Sequence, residues 1–147
     1  MNILQATVDA HLFARLFRHR DTWQSWFAFL AAVFSLPMTP DQLDLYRRCT
    51  GRTEQSRIAS SNEAWIVCGR RAGKSFVLAL IAVFLACFKS YGEYLAPGER
   101  GTVLIIATDR RQARTIVRYI RALLNEVAML ATLIERETAE PLTSATA

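Results

Sequence analysis

Residues 64–85 read Ala64-Trp65-Ile66-Val67-Cys68-Gly69-Arg70-Arg71-Ala72-Gly73-Lys74-Ser75-Phe76-Val77-Leu78-Ala79-Leu80-Ile81-Ala82-Val83-Phe84-Leu85, and three patterns meet there. Ala64 to Cys68 is a short, unbroken apolar run, the pattern of a strand covered on both faces in a parallel sheet. Phe76 to Leu85 is apolar all round, which predicts a central, buried helix. Cys68 to Ser75, between them, has the make-up of a phosphate-binding loop opening that helix.

The residue types suit that chemistry. A nucleotide phosphate brings several negative charges, and successive backbone N–H groups at a helix start meet them at short range. Bulky side chains would obstruct the approach, so Gly73 matters for what it lacks. Lys74 adds a point charge for the outer phosphates, and the Ser75 hydroxyl is placed to hold a magnesium ion. One position departs from the usual pattern: Cys68 stands where a Gly six residues before the Lys is expected, and Gly69 follows one place later. A bare Gly-Lys-Ser arises often by chance. Here it lies between an expected strand and an expected helix, which is the context the motif demands.

Working outward, Thr102-Val103-Leu104-Ile105-Ile106-Ala107 repeats the buried-strand pattern. Asp109 is suited to cap a following helix that carries Ala113, Ile116, Val117, Ile120, Leu123 and Leu124. Strand, helix, strand, helix predicts an α/β fold: a partial P-loop NTPase parallel sheet with two strands visible, preceded by a helical N-terminal region. Three helices are expected in that region. Leu4, Val8, Leu12 and Leu16 at spacing four give one over residues 3–19. Asp21 and Gln24 resemble a capping box for a second, running through Trp23, Trp26, Phe27, Leu30 and Phe34 and ending before Pro37, with its aromatics read as core. Thr39-Pro40-Asp41-Gln42 starts a third that runs to Gly51. Residues 52–62 read as a polar surface connection, and the tail after Arg136 as frayed. The organisation expected is a helical region at 1–60, an incomplete ATPase core at 61–137 and a disordered tail at 138–147.

Composition narrows the class. The 147 residues are 52% hydrophobic and 21% charged, which is globular rather than disordered. The net charge of +5 suits an acidic partner but is also common on ordinary domains. Cys49, Cys68 and Cys87 form no CxxC pair and fit a reducing cytosol. No secretion leader is visible at the start, and the apolar run Phe76 to Phe88 is shorter than the roughly 18 residues a membrane span needs.

Gly69-Arg70-Arg71-Ala72-Gly73-Lys74-Ser75, preceded by Thr39-Pro40-Asp41-Gln42 and followed by Leu104-Ile105-Ile106-Ala107-Thr108-Asp109-Arg110-Arg111-Gln112, resembles the large subunit of tailed-phage terminases over roughly residues 20–137. Such proteins package viral DNA with an N-terminal ATPase and a C-terminal nuclease, and they tolerate an Arg-rich loop without the first Gly. The resemblance implies ATP and Mg2+ as ligands, held by Gly69, Arg70, Arg71, Ala72, Gly73, Lys74 and Ser75. It makes Arg70 the catalytic arginine on the γ-phosphate, and Gln42 the glutamine that reads adenine. Gln42 has an equally ordinary reading as a first-turn helix residue. Double-stranded DNA, a terminase small subunit and a portal are the implied partners, in the host cytoplasm of a phage or prophage, with oligomerisation only in a full-length motor.

Hydrolysis also needs an acidic residue after an apolar strand, to hold magnesium and position water. Asp109 is the nearest candidate, but Thr108 intervenes and a helix starts there, so a helix cap is the better reading. The chain therefore reads as a truncated ATP-binding portion that does not hydrolyse alone. Arg111, Arg114, Arg118 and Arg121 form a basic stripe, read as a solvated helix face in preference to a DNA contact. Two other readings compete: a non-enzymatic helical interaction or membrane-surface protein, and, lower, a small P-loop kinase. The two strand patterns argue against the first, and the lack of a lid-like segment against the second.

Overall fold

The computed structural model describes residues 1–53 and 63–134. The α-helices are α1 (Ile3–Ala6), α2 (Gln24–Val33), α3 (Pro40–Thr50), α4 (Lys74–Phe88), α5 (Arg110–Glu126) and α6 (Ala128–Ala131), with single 3-10 turns at Ala14–Phe17 and Arg20–Trp23. Among the described residues there is no β-strand, which overturns the expected α/β fold and its parallel P-loop sheet. Ala64–Cys68 and Thr102–Ala107 have the side chains of buried strands but no ladder partner, and a strand exists only through its hydrogen-bonded neighbour. They are not buried either. Trp65 is 90% exposed, Leu104 77% and Ile106 83%.

Helices signalled by short-range chemistry form where expected. In α3, Thr39 Oγ1 accepts from the Gln42 N–H at 3.3 Å while the Gln42 carboxamide oxygen accepts from the Thr39 N–H at 3.0 Å, a complete capping box with Pro40 at its first position. Gly51 ends it with a left-handed φ of 69°. Asp109 caps α5 by accepting from the N–H groups of Arg111 and Gln112 at 2.7 and 2.9 Å.

The single helix expected over 3–19 does not form. Thr7 Oγ1 donates to the Leu4 carbonyl at 2.8 Å, and Asp9 accepts from the His11 N–H at 2.8 Å, so local side-chain bonds replace the helical ladder after α1. The box expected from Asp21 and Gln24 is absent too: residues 20–23 form a 3-10 turn, and α2 begins at Gln24 with no side-chain cap.

One hydrophobic cluster joins the segments. Ile3, Phe13 and Phe17 from the N-terminal turns, Phe27 and Leu30 from α2, Leu80 and Phe84 from α4, and Leu123 from α5 are all within it. The most extensive helix pairing is α4 against α5, followed by α2 against α3. The cluster thus crosses from the 1–60 region into the 61–137 region. The boundary between them, at residues 60–61, lies outside the described residues, as do residues 54–62 of the connection read at 52–62 and the tail read after Arg136.

Candidate functional site

The loop Gly69–Gly73 turns directly into α4. Arg71 and Gly73 both adopt left-handed backbone, with φ of 62° and 86°. Gly73 is the residue preceding α4, and no side chain caps that helix. The Gly73 carbonyl accepts from the N–H groups of Phe76 and Val77, both at 3.1 Å, and the Lys74 and Ser75 N–H groups have no acceptor among the described residues. By contrast α1, α3 and α5 satisfy their starts with Asn2, Thr39 and Asp109. An open helix start concentrates unsatisfied N–H groups and the positive end of the helix dipole, which favours an anion.

Charge accumulates at the same place. Arg70, Arg71 and Lys74 are exposed and have no ion pair among the described residues, and the first turn of α4 holds no acidic side chain. Beside it, Lys74, Ser75 and Leu78 of α4 face Ile106, Ala107 and Thr108 and the α5 residues Gln112, Thr115 and Ile116 across a cavity of about 750 Å³. Its wall is cationic at the helix start, hydroxyl- and amide-bearing along α5, and apolar at Leu78, Ile106 and Ile116.

The structure brings Lys74 and Ser75 together at this cavity and leaves Gln42 at another. Gln42 lines a cleft of about 450 Å³ with Asp21, Gln24, Thr39, Asp41 and Leu45, and its carboxamide oxygen is engaged in the α3 capping box. Among the side chains of residues 69–75, a magnesium ion would find one oxygen, the Ser75 hydroxyl. No group of three His, Cys, Asp or Glu side chains is placed to ligate a metal among the described residues. The loop thus offers a magnesium ion a single hydroxyl ligand, and the remaining ligands would have to come with the ion's own partner.

Asp109 is occupied as a helix cap. The backbone N–H of Gln112 is the main cause that holds its carboxyl below the ordinary range; burial opposes it, and the N–H of Arg111 and the Gln112 side chain add to the lowering. Arg111, Arg114, Arg118 and Arg121 lie on the exposed face of α5.

Two residues at the site carry no local signal of it. Trp26, on α2, donates its indole N–H to the Ala72 carbonyl at 2.6 Å. Trp23 lies against Gly73 and packs on Phe76 at a ring separation of 5.5 Å. Both read from the sequence as core. Their aromatic character was legible, but nothing in the sequence ties them to a loop some 46 residues away.

Compared with protein-family models, with curated proteins and with solved structures, the chain finds no match in any of the three.

Proposed function

We propose that this chain binds the phosphates of a nucleoside triphosphate at the start of α4. The observation that carries the reading is the uncapped helix start: among the described residues the Lys74 and Ser75 N–H groups have no acceptor, and three cations within five residues, Arg70, Arg71 and Lys74, have no ion pair. Lys74 contacts the outer phosphates, Ser75 completes the shell of the accompanying magnesium, and Arg70 and Arg71 approach from the loop. This needs the loop and the helix, and it does not depend on a sheet.

The resemblance of residues 20–137 to terminase large subunits supports ATP as the nucleotide and DNA packaging in a phage-infected or lysogenic host cytoplasm as the setting. Small subunit, portal and double-stranded DNA are then the partners. The site residues include no acid to position water, so binding without turnover is expected. Among the described residues, no helix is long and apolar enough to cross a membrane.

The test is magnesium-dependent binding of a fluorescent ATP analogue to the purified chain and to Lys74→Ala, with phosphate release followed in parallel. Lys74-dependent binding without release supports the reading. Release would reveal an acidic residue that the site description lacks, and no binding by a folded sample would end it.

A second reading gains from the fold. Two buried-strand patterns argued against an interaction protein, and in the structure these segments are neither strands nor buried. Trp65, Val67, Leu104 and Ile106 are instead exposed on irregular backbone, and exposed large apolar side chains of this kind are the material of contact surfaces. Self-association that Trp65→Ser with Ile106→Ser abolishes, in a chain with no affinity for ATP, would favour it.

A further inference from the structure

The conformation of the phosphate loop is unfavourable on its own terms. Arg71 has a Cβ and still holds a φ of 62°, a region that L residues other than glycine rarely occupy. Such a backbone persists only where surrounding contacts impose it. The contacts come from one place, the junction of the 3-10 turn Arg20–Trp23 with α2. Trp23 packs against Gly73, and its ring forms a mutual cluster with Phe17 at 5.0 Å and Phe76 at 5.5 Å. Trp26 lies edge-on to Phe29 at 5.7 Å and donates to the Ala72 carbonyl.

That carbonyl is the one backbone acceptor between the two left-handed residues. Free, it is a negative dipole beside an anion site; bonded to an indole N–H, it is neutralised and fixed. We infer that Trp26 is a positioning residue for phosphate binding: its N–H holds the Ala72 carbonyl, so that the Arg71–Gly73 backbone stays in the form that leaves the Lys74 and Ser75 N–H groups open. The inference rests on the phosphate-site reading above.

Trp26→Phe keeps an aromatic ring against Phe29 while removing the indole donor together with part of the ring's volume. Two measurements separate the inference from the reading beneath it. In nucleotide-free protein, tryptic cleavage after Arg70 and Arg71 is expected to quicken about fivefold under native conditions, the effect of losing one net hydrogen bond, while the melting midpoint falls by only a few degrees and the chain stays folded. Affinity for the fluorescent ATP analogue is expected to fall by a similar factor. Unaltered cleavage and affinity would overturn the inference while Lys74-dependent binding in the parent chain still upheld the phosphate site. Faster cleavage with unaltered affinity also overturns it, because the tether would then serve the loop alone. No binding by the parent chain ends the phosphate reading, and this inference with it, whatever the cleavage rate.

If Trp26→Phe does not fold, the parent carrying Trp65→Phe, a substitution at a 90% exposed position, leaves Trp23 and Trp26 as the only indoles. Saturation with ATP is then expected to shift their emission in a Lys74-dependent way. A flat titration under saturating binding counts against the tether.

Discussion

The backbone of Gly73 lies against the indole of Trp23: a Cβ built on Gly73 would stand 3.4 Å from Cζ3 and 3.5 Å from Cη2 of that ring. Gly73 is also left-handed, with φ 86°. The position therefore disfavours a side chain through its backbone conformation, whereas a Cβ would only come into ordinary van der Waals contact with Trp23, a ring that packs with Phe17 and Phe76. The turn that delivers the chain into α4 is thus built jointly by the loop and by a helix start some 50 residues earlier in the sequence.

Gly73→Ala is expected to destabilise the chain by about 1–2 kcal/mol, the cost of a left-handed L residue, with the Trp23 contact adding little if the ring gives by a few tenths of an ångström. Thermal unfolding followed by circular dichroism checks it. A midpoint equal to the parent's would mean that the loop does not hold this conformation.

Two leucines on one helix separate the covered side of α4 from its open side. Leu80 is fully buried in the central cluster, whereas Leu78 is 44% exposed and lines the cavity with Ile106 and Ile116. Leu80→Ala is expected to cost about 2–5 kcal/mol and Leu78→Ala less than about 1 kcal/mol, because a cavity forms only where neighbours cannot relax into water. Denaturant titrations of the two variants give the comparison. Equal losses would mean that α4 is covered on both sides.

What the sequence revealed follows the reach of each interaction. The α3 start at Thr39-Pro40, its end at Gly51 and the Asp109 cap involve partners within four residues, and each forms as read; the reciprocal Gln42 bond of the α3 box lies beyond that reading. The apolar span of α4 predicted burial, and Val77, Leu80 and Phe84 are buried, although Leu78 is not. The strand patterns failed because Val67 and Leu104 need hydrogen-bonding neighbours that no run of side chains supplies. The helix over 3–19 failed where Thr7 and Asp9 offered the backbone other bonds. At the site, Lys74 and Ser75 were legible from a local motif, while the Trp26 bond to Ala72 had no spacing to announce it.

Thiol chemistry gives a third expectation. Burial pushes the Cys87 thiol above its ordinary value, whereas Cys49 is exposed near the end of α3. Thiolate is the reactive form, so alkylation at pH 7.5 should reach Cys49 first and Cys87 much later. Peptide mapping after brief iodoacetamide treatment reads the order, and early labelling of Cys87 in folded protein would show that the α4 packing opens readily.

The Asp109 carboxylate, held below the ordinary range chiefly by the N–H of Gln112, links α5 to pH. A depressed folded value means that its contribution is fully present above the unfolded value of about 3.9 and is lost as the pH falls through the folded value. Asp109→Asn keeps an oxygen acceptor for the helix start but has no charge to titrate, so its cap is indifferent to acid. Melting midpoints at pH 6 and pH 3 are therefore expected to drop further in the parent than in Asp109→Asn, the other acidic groups being common to both and cancelling in the comparison. The variant should also be somewhat less stable than the parent at pH 6, where the carboxylate still faces the positive end of the α5 dipole. Equal drops in the two proteins would show that the charge on Asp109 does not help to hold α5, leaving the cap a matter of hydrogen-bond geometry alone.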